Sequence, residues 1–292
     1  MGVANNNHFH GTLPTELGQC QIFMLALTEN ELTGTVPLEL CRNMESFREL
    51  HLHGNMLTGT LPDDDETSMS WSHIKGLLNV HDNLCYGIVP TAIGCLTSTN
   101  GIPLSDNDFA GPVPSKLVIL KNLTNLHLNG NSFTGSIPQQ LQSLSLLVQL
   151  GLPENQLTGT IPSEMLQRLS FLWRLELDNS HLKGVISFDI GLRTNLLRLN
   201  LMQNDLMGPI SKQIGFLVEM KELILQRNSL TSLVPSEVGL LEQQFFSGKL
   251  SDRNPASVLL GTTWLEWRKC SFGGSWWQQR ARGVLKQHCN PE

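Results

Sequence analysis

Apolar residues recur along this chain in pairs separated by one polar residue, the pattern of a short strand with one buried face. Residues 25–37 read Leu-Ala-Leu-Thr-Glu-Asn-Glu-Leu-Thr-Gly-Thr-Val-Pro. Closely similar segments occupy residues 126–138 and 150–162. Each copy therefore predicts one short strand that is followed by a turn.

One polar residue follows each predicted strand, and we call it the ladder residue of its turn. Turns one to ten carry, in order, Asn7, Asn30, Asn55, Asn83, Asn107, Asn131, Asn155, Ser180, Asn204 and Asn228. Their spacing varies only from 23 to 28 residues. Ten copies at one period predict a solenoid, in which the strand of each turn pairs with the strand of the turn before to give a parallel sheet.

The other repeated positions have physical reasons of their own. An inward amide at the ladder position can bond backbone groups that no sheet covers, and we expect turn eight to be the loosest because Ser180 can make fewer such bonds. Glycine recurs four residues after the ladder residue in turns one to nine, where it suits a tight bend and close approach of neighbouring turns. Proline follows in eight turns and is replaced by Ser187 and Ser211 in the other two.

Over residues 5 to about 245 the pattern resembles the plant-type leucine-rich repeat, Leu-x-x-Leu-x-Leu-x-x-Asn-x-Leu-x-Gly-x-Ile-Pro. The resemblance implies an α/β fold, a leucine-rich-repeat solenoid wound as a right-handed superhelix. A parallel sheet would form its concave face and short helical turns its convex face.

Similar repeats form the ectodomains of receptor-like kinases and receptor-like proteins and the polygalacturonase-inhibiting proteins, and similar arrays occur in algae. The resemblance thus implies an extracellular or plasma-membrane-associated module that binds a protein, peptide or glycan on its concave face, with a co-receptor as a further partner. The alternative is an intracellular, cytoplasmic scaffold or inhibitor, since one fold hosts many binding tasks.

Two regions are predicted, the solenoid over 1–245 and a Trp-rich segment over 246–292. The second contains Trp264, Trp267, Trp276 and Trp277 and no ladder residue. It is interpreted as a C-terminal cap closed by Cys270 and Cys289, as disordered read-through sequence, or as a membrane-surface segment. At the other end the chain starts almost inside a repeat, which indicates either a truncated N-terminus or a minimal polar cap over Asn5–His10.

The candidate ligand-binding residues are those whose side chains point outward from the predicted strands. Positions two, four and six before the ladder residue face the concave side. The residues selected are His51, His53, Asn79, His81, His127, Asn129, Arg174, Glu176, Asp178, Arg198, Glu222 and Gln226. The structural ladder consists of Asn30, Asn55, Asn83, Asn107, Asn131, Asn155, Asn204 and Asn228.

Two groups on this face allow more than one interpretation. His53 and His81 share a column on adjacent turns with His51 nearby, so they could bind zinc, sense pH, or form an ordinary polar surface. The alternating charges from Arg174 to Glu222 suit a protein or peptide ligand, or form salt bridges with one another. We expect a site for a protein or peptide ligand, with no metal and no cofactor.

Composition excludes several other functions. The net charge is −6, and residues 249–292 are the basic part, so there is no basic stripe of the kind that binds nucleic acid. No apolar window spans a membrane, and membrane attachment would need segments outside this chain. No nucleophile elbow, phosphate loop or kinase signature occurs, which predicts a non-enzyme.

The cysteines and the longest turn leave alternatives open. Local pairs would be Cys20 with Cys41 and Cys85 with Cys95, although Cys85 falls at an apolar position that suits a buried thiol. The acidic run 62–66 in turn three is interpreted as a solvated insertion or as a loop that binds a cation or a basic partner.

Overall fold

The computed structural model describes residues 1–42, 48–63, 71, 76–239, 241 and 257–259. Within these ranges the chain winds through ten stacked turns. Each turn has a strand on the concave side and a second strand on a lateral side, and a short helix lies on the convex side in turns one, two and four to ten. The predicted solenoid with a parallel sheet and short convex helices is confirmed.

The concave strands pair in parallel and in the predicted register. Leu126, for example, lies opposite Ile102 on one side and Leu150 on the other. Four strands form one sheet and seven form a second one. In order they are Gly2–Val3, Met24–Ala26, Glu49–His51, Leu78–Asn79, Gly101–Pro103, Asn125–His127, Gln149–Gly151, Arg174–Glu176, Arg198–Asn200, Glu222–Ile224 and Ser257–Leu259.

A lateral sheet of parallel strands follows the ladder residues, where the sequence predicts only a bend. These strands are His10–Thr12, Glu31–Gly34, Met56–Gly59, Leu84–Ile88, Asp108–Pro112, Ser132–Ser136, Gln156–Thr158, Lys183–Gly184, Asp205–Pro209 and Ser229–Thr231. The recurring glycine lies at or near the end of each strand. Gly59 has a φ of +80°, and a Cβ there would lie 2.5 Å from Thr35 Cγ2 of the preceding turn. The expected close approach is therefore present, but it is part of a sheet.

The convex side carries one short helix in each turn that the structure describes there. Seven are 3₁₀ helices: Thr15–Gln19, Thr91–Cys95, Ser115–Ile119, Gln139–Ser143, Phe188–Leu192, Lys212–Phe216 and Ser236–Gly239. Two are α-helices, Leu38–Arg42 and Ser163–Arg168. Where proline is missing, the hydroxyls of Ser187 and Ser211 accept hydrogen bonds from the backbone amides of Asp189 and Gln213, which caps the helix instead.

The core between these layers is a continuous stack of leucines, most of them fully buried. Turn three adds a feature that the sequence reading missed: Trp71 is fully buried, and its indole Nε1 donates to the Pro62 carbonyl at 2.9 Å. Most of the acidic run, 64–66, lies outside the described residues.

The predicted cysteine pairs do not form among the described residues. Cys20 and Cys41 are separate thiols. Cys85 is the buried apolar thiol that its position predicts, and its sulfur contacts the Leu57 carbonyl at 3.7 Å. Cys270 and Cys289 lie outside the described residues, as does the Trp-rich segment apart from the strand Ser257–Leu259.

The concave sheet is interrupted between turns four and five, where Pro103 has no N–H to donate and Thr99 makes local bonds to Gly101. The buried Thr99 side chain donates to the Gly101 carbonyl at 2.7 Å and accepts from the Gly101 amide at 3.3 Å. Those two backbone groups are thus bonded locally at the start of the strand. The lateral sheet continues without a break across the same junction, from Leu84–Ile88 to Asp108–Pro112.

Candidate ligand-binding face

The ladder asparagines hold the concave strands in a fixed position. Asn155 is typical: its Nδ2 donates to the carbonyls of Leu128, Leu152 and Pro153 at 2.9–3.1 Å, and its Oδ1 accepts from the Phe133 amide at 2.9 Å. Each ladder asparagine from Asn30 onward makes the corresponding set of four bonds. The sets belong to Asn30, Asn55, Asn83, Asn107, Asn131, Asn204 and Asn228.

The twelve selected residues lie on one face, as the spacing predicts. Each lies on a concave strand or two residues after its end. Asn79 and Asp178 are buried, and the other ten are half-buried. Strand pairing places Arg174, Arg198 and Glu222 opposite one another on three adjacent turns. The rigid sheet thus presents rows of polar groups at the strand spacing of about 4.8 Å.

The histidines of turns three and four form a stacked pair. The ring centroids of His53 and His81 are 4.5 Å apart and the rings are nearly parallel, at 12°. Asn79 Nδ2 donates to His53 Nδ1 at 3.0 Å, and Asn79 Oδ1 accepts from the His81 amide at 3.3 Å. Because the nitrogen and the oxygen of the Asn79 side-chain amide are both hydrogen-bonded, the orientation of this amide is fixed. His53 Nδ1 is therefore an acceptor, and the proton of the neutral ring lies on Nε2.

The third histidine is held separately. His51 Nε2 donates to Glu49 Oε2 of its own strand at 3.2 Å. The three imidazoles therefore do not converge on one point. Within the described ranges, no group of three His, Cys, Asp or Glu side chains is arranged to hold a metal ion.

The charged residues of turns eight to ten form a continuous chain of ion pairs. Glu176 lies between two arginines, 2.9 Å from Arg174 Nε and 2.7 Å from Arg198 Nε. Arg198 Nη1 also contacts the Glu222 carboxylate. The Nε contacts are close ion pairs without aligned hydrogen bonds, whereas Arg174 Nη2 donates to Glu176 at 2.9 Å. The structure therefore contains the mutual salt bridges that the sequence analysis gave as one of the two interpretations of these charges.

Two further groups next to these ion pairs, the side chains of His127 and Asp178, are partly desolvated. Burial lowers the pKa of His127, and the Arg174 guanidinium lowers it further. Burial raises the pKa of Asp178, whose carboxylate accepts a hydrogen bond from Asn179 Nδ2 at 2.7 Å. Both groups are therefore biased toward their neutral forms, although Asn179 and the Asp178 backbone partly offset the bias on Asp178.

Comparison with known proteins agrees with this geometry. The family model described as Leucine Rich Repeat matches residues 122–144. The chain has the fold of a leucine-rich-repeat solenoid. Over 99 residues, which are 34% of this chain and 10% of the kinase, it is 32% identical to the receptor-like kinase TMK4 of Arabidopsis thaliana.

Two solved structures extend the likeness to most of the repeat array. The receptor kinase HAESA of Arabidopsis, in complex with the peptide hormone IDA and the co-receptor SERK1, is 31% identical with a TM-score of 0.73. The plant peptide hormone receptor RGFR1 in complex with RGF2 is 26% identical with a TM-score of 0.71. The match with HAESA covers 81% of this chain and 39% of the HAESA chain. The match with RGFR1 covers 82% of this chain and 41% of the RGFR1 chain. The chain thus spans about two fifths of the length of each receptor.

Sequence reasoning missed a column of residues with left-handed backbone conformation beside the concave face. The residue before each ladder residue has a positive φ of 53–66°. It is Gly54 or Gly130 in two turns, but Glu29, Glu154, Gln203 and Arg227 are bulky residues that rarely adopt this conformation. Asparagine, aspartate or glycine occupies this position in six of the ten turns, a weak signal that could have revealed the column.

The convex helices are too short for membrane crossing. In the described ranges no helix has the length and apolar content that spanning a bilayer requires.

Acidification is expected to destabilise the solenoid through its concave histidines. Burial, with His81 and His51 adding to it, lowers the pKa of His53, while Glu29 and Asp82 partly offset the shift. The unfolded chain then binds protons below pH 6.5 that folded His53 and His127 do not, so stability falls as pH drops from about 6.5. Urea unfolding at pH 7 and pH 5 measures this fall. The variant His53→Gln should lose less of its free energy of unfolding between the two pH values than wild type does.

The matched control for this prediction is His8→Gln. The side chain of His8 is 94% exposed and pairs with Glu31 on the surface. This substitution should leave the pH dependence of wild type unchanged. If His53→Gln and wild type lose equal stability on acidification, the stacked pair does not disfavour protonation.

Proposed function

We propose that the concave face of this chain recognises an extended peptide or a peptide-like segment of a protein, as part of a cell-surface receptor. The observation that carries the proposal is the set of buried and half-buried polar side chains on the concave strands of turns three, four, six and eight to ten, in a sheet that the ladder asparagines hold in place. HAESA and RGFR1 were solved with peptide hormones bound, and HAESA also with a co-receptor. A peptide ligand and a co-receptor are accordingly proposed as partners here.

The length of the face sets the length of the ligand. From turn three, with its histidines, to turn ten, with Glu222 and Gln226, there are seven strand spacings of about 4.8 Å, or roughly 34 Å. An extended peptide covers about 3.4 Å per residue, so about ten residues reach from one end to the other. Charge pairing along turns eight to ten leaves little net charge there, so hydrogen bonding and register should dominate recognition over bulk attraction.

The test is capture from a pool of synthetic ten-residue peptides by the purified chain, followed by titration of the peptides retained. Wild type is compared with His81→Ala and Gln226→Ala, which shorten side chains at the two ends of the face. Each should weaken binding about tenfold, the effect of about 1.4 kcal/mol from one contact. Lys183→Ala, on the exposed lateral sheet, is the control and should bind as wild type does.

Equal affinity of both concave variants and wild type would contradict the proposal. Loss of binding in Lys183→Ala alone would instead place the ligand on the lateral sheet. Circular dichroism on every variant separates loss of contact from loss of fold.

A further inference from the structure

Turn eight lacks the ladder asparagine bonds that tie each of turns two to seven, nine and ten to the turn before it. The side chain of Ser180 makes a single hydrogen bond, from its Oγ to the Asn155 carbonyl at 3.4 Å. The Leu157 amide therefore has no ladder oxygen to bond. The equivalent amide one turn later, that of Leu182, donates to Asn204 Oδ1 at 3.0 Å.

The lateral sheet ends at the same junction. Gln156–Thr158 is the last strand of the seven-stranded lateral sheet, and Lys183–Gly184 is the first strand of a separate three-stranded sheet. Two backbone hydrogen bonds still cross the gap, His181 to Leu157 at 2.8 Å and Lys183 to Gly159 at 2.7 Å. They do not extend into a strand ladder, which weakens the lateral connection between turns seven and eight.

The convex side of turn eight has a charge in the core. The residue that ends the short helix is a buried leucine in the neighbouring turns: Leu96, Leu120, Leu144, Leu169 and Leu217. In turn eight it is Arg193, which is 8% exposed. Its Nη2 donates to the Gln167 carbonyl at 3.5 Å, and its buried Nε has no partner.

Within the described ranges no carboxylate lies at ion-pairing distance from Arg193. A buried guanidinium without a carboxylate is costly, whereas leucine in the same column adds apolar packing between turns. Contact between turns seven and eight is therefore weaker on the convex side as well. The polar contact between Gln167 Nε2 and Asp189, at 3.3 Å, does not replace leucine packing.

The concave side of this junction is intact. Gln149, Leu150 and Gly151 pair in register with Arg174, Leu175 and Glu176. Of the three layers, two are weakened and one is continuous. We infer that the junction between turns seven and eight is a hinge, at which turns eight to ten rotate as a block about the paired concave strands.

The hinge would change the distance between the two parts of the concave face. The stacked histidines lie on turns three and four, and the ion-pair chain holds turns eight to ten together on the other side of the junction. Rotation about the concave strands opens the lateral and convex sides and bends the face along its length. This inference is independent of which ligand binds there.

The interruption between turns four and five provides an internal comparison. There the concave sheet is broken, but Asn107 makes all four ladder bonds and Leu96 is fully buried in the core. Only one layer is weakened at that junction. It should therefore stay closed under conditions in which the junction of turns seven and eight opens.

Hydrogen exchange followed by mass spectrometry on the full chain tests the hinge. In wild type, peptides over 156–162 and 181–193 should exchange about tenfold faster than the matched peptides over 132–138 and 205–217. The variants Ser180→Asn and Arg193→Leu restore the residues of the other turns. Combined, they should bring the fast segments to within about twofold of the matched ones. Ser229→Asn, at an exposed lateral position, is the control and should leave exchange unchanged.

Three results would overturn the inference. One is uniform protection across the wild-type solenoid, which needs no variant to fold and so is informative by itself. A second is fast exchange over 156–162 that persists in a folded double variant, since the two residues would then not be the cause. The third is faster exchange between turns four and five than between turns seven and eight.

Discussion

Asn155→Ala should lower the free energy of unfolding by about 4 kcal/mol, because it removes four hydrogen bonds from the interior at about 1 kcal/mol each. Asn155 is buried, and all four of its bonds are 3.1 Å or shorter. The groups that lose a bond belong to turns six and seven, so the damage affects the contact between them. Urea unfolding monitored by circular dichroism measures the change.

Two other substitutions identify the source of this loss. Asn129→Ala removes an asparagine of the concave face whose amide lies 3.4 Å from the Asp106 carboxylate, and it should cost less than about 1 kcal/mol. Asn155→Asp keeps an acceptor for the Phe133 amide but places a carboxylate oxygen against three carbonyls, so it should be at least as damaging as alanine. A loss below about 1 kcal/mol in Asn155→Ala would show that water replaces the amide.

Glu176→Ala is expected to destabilise the chain by about 2 kcal/mol, because it removes the shared carboxylate between two arginines. Breaking a fully buried pair costs more, but the side chains of Arg174 and Arg198 are 37% and 34% exposed, and solvent screens the remaining repulsion. The loss should grow as salt is lowered, since the two like charges are then less screened.

The matched control is Glu222→Ala, at the end of the same chain of ion pairs. Arg198 then keeps its contact with Glu176, and the expected loss is under about 1 kcal/mol. Urea unfolding of both variants at low and high salt compares them directly. Equal losses in the two variants would mean that Glu176 is no more important than a surface carboxylate.

The repeat could be predicted in detail from sequence because its period is encoded redundantly. A ladder asparagine, a glycine and a strand with period two recur in nearly every turn, so single exceptions do not obscure the register. The same redundancy placed all twelve selected residues on one face. Their role in ligand binding stays a prediction.

The lateral sheet was missed for a physical reason. A segment such as Met56–Gly59 contains one buried leucine and ends on glycine, and Pro62 follows three residues later, which locally indicates a turn. It becomes a strand only because neighbouring copies stack and supply hydrogen-bond partners, and a period-two pattern of three or four residues is too short to show this. The long-range partner is present in the fold and absent from the local sequence.

The exceptions in single turns could not be predicted because their effect depends on the adjacent turn. Arg193 looks like a surface arginine until the leucines that end the neighbouring helices show that the position is internal. Thr99 looks like an ordinary loop residue until its bonds to Gly101 are seen. Ser180 was expected to make fewer bonds than asparagine, and its single bond agrees with that expectation.

The ladder bonds reach only one turn back along the chain. Asn131 contacts backbone groups of its own turn and of turn five. A turn duplicated in the gene would therefore meet the same two neighbours as its parent and need no compensating change elsewhere. Gene duplication or deletion can thus lengthen or shorten the concave face by one strand spacing, about 4.8 Å, at a time.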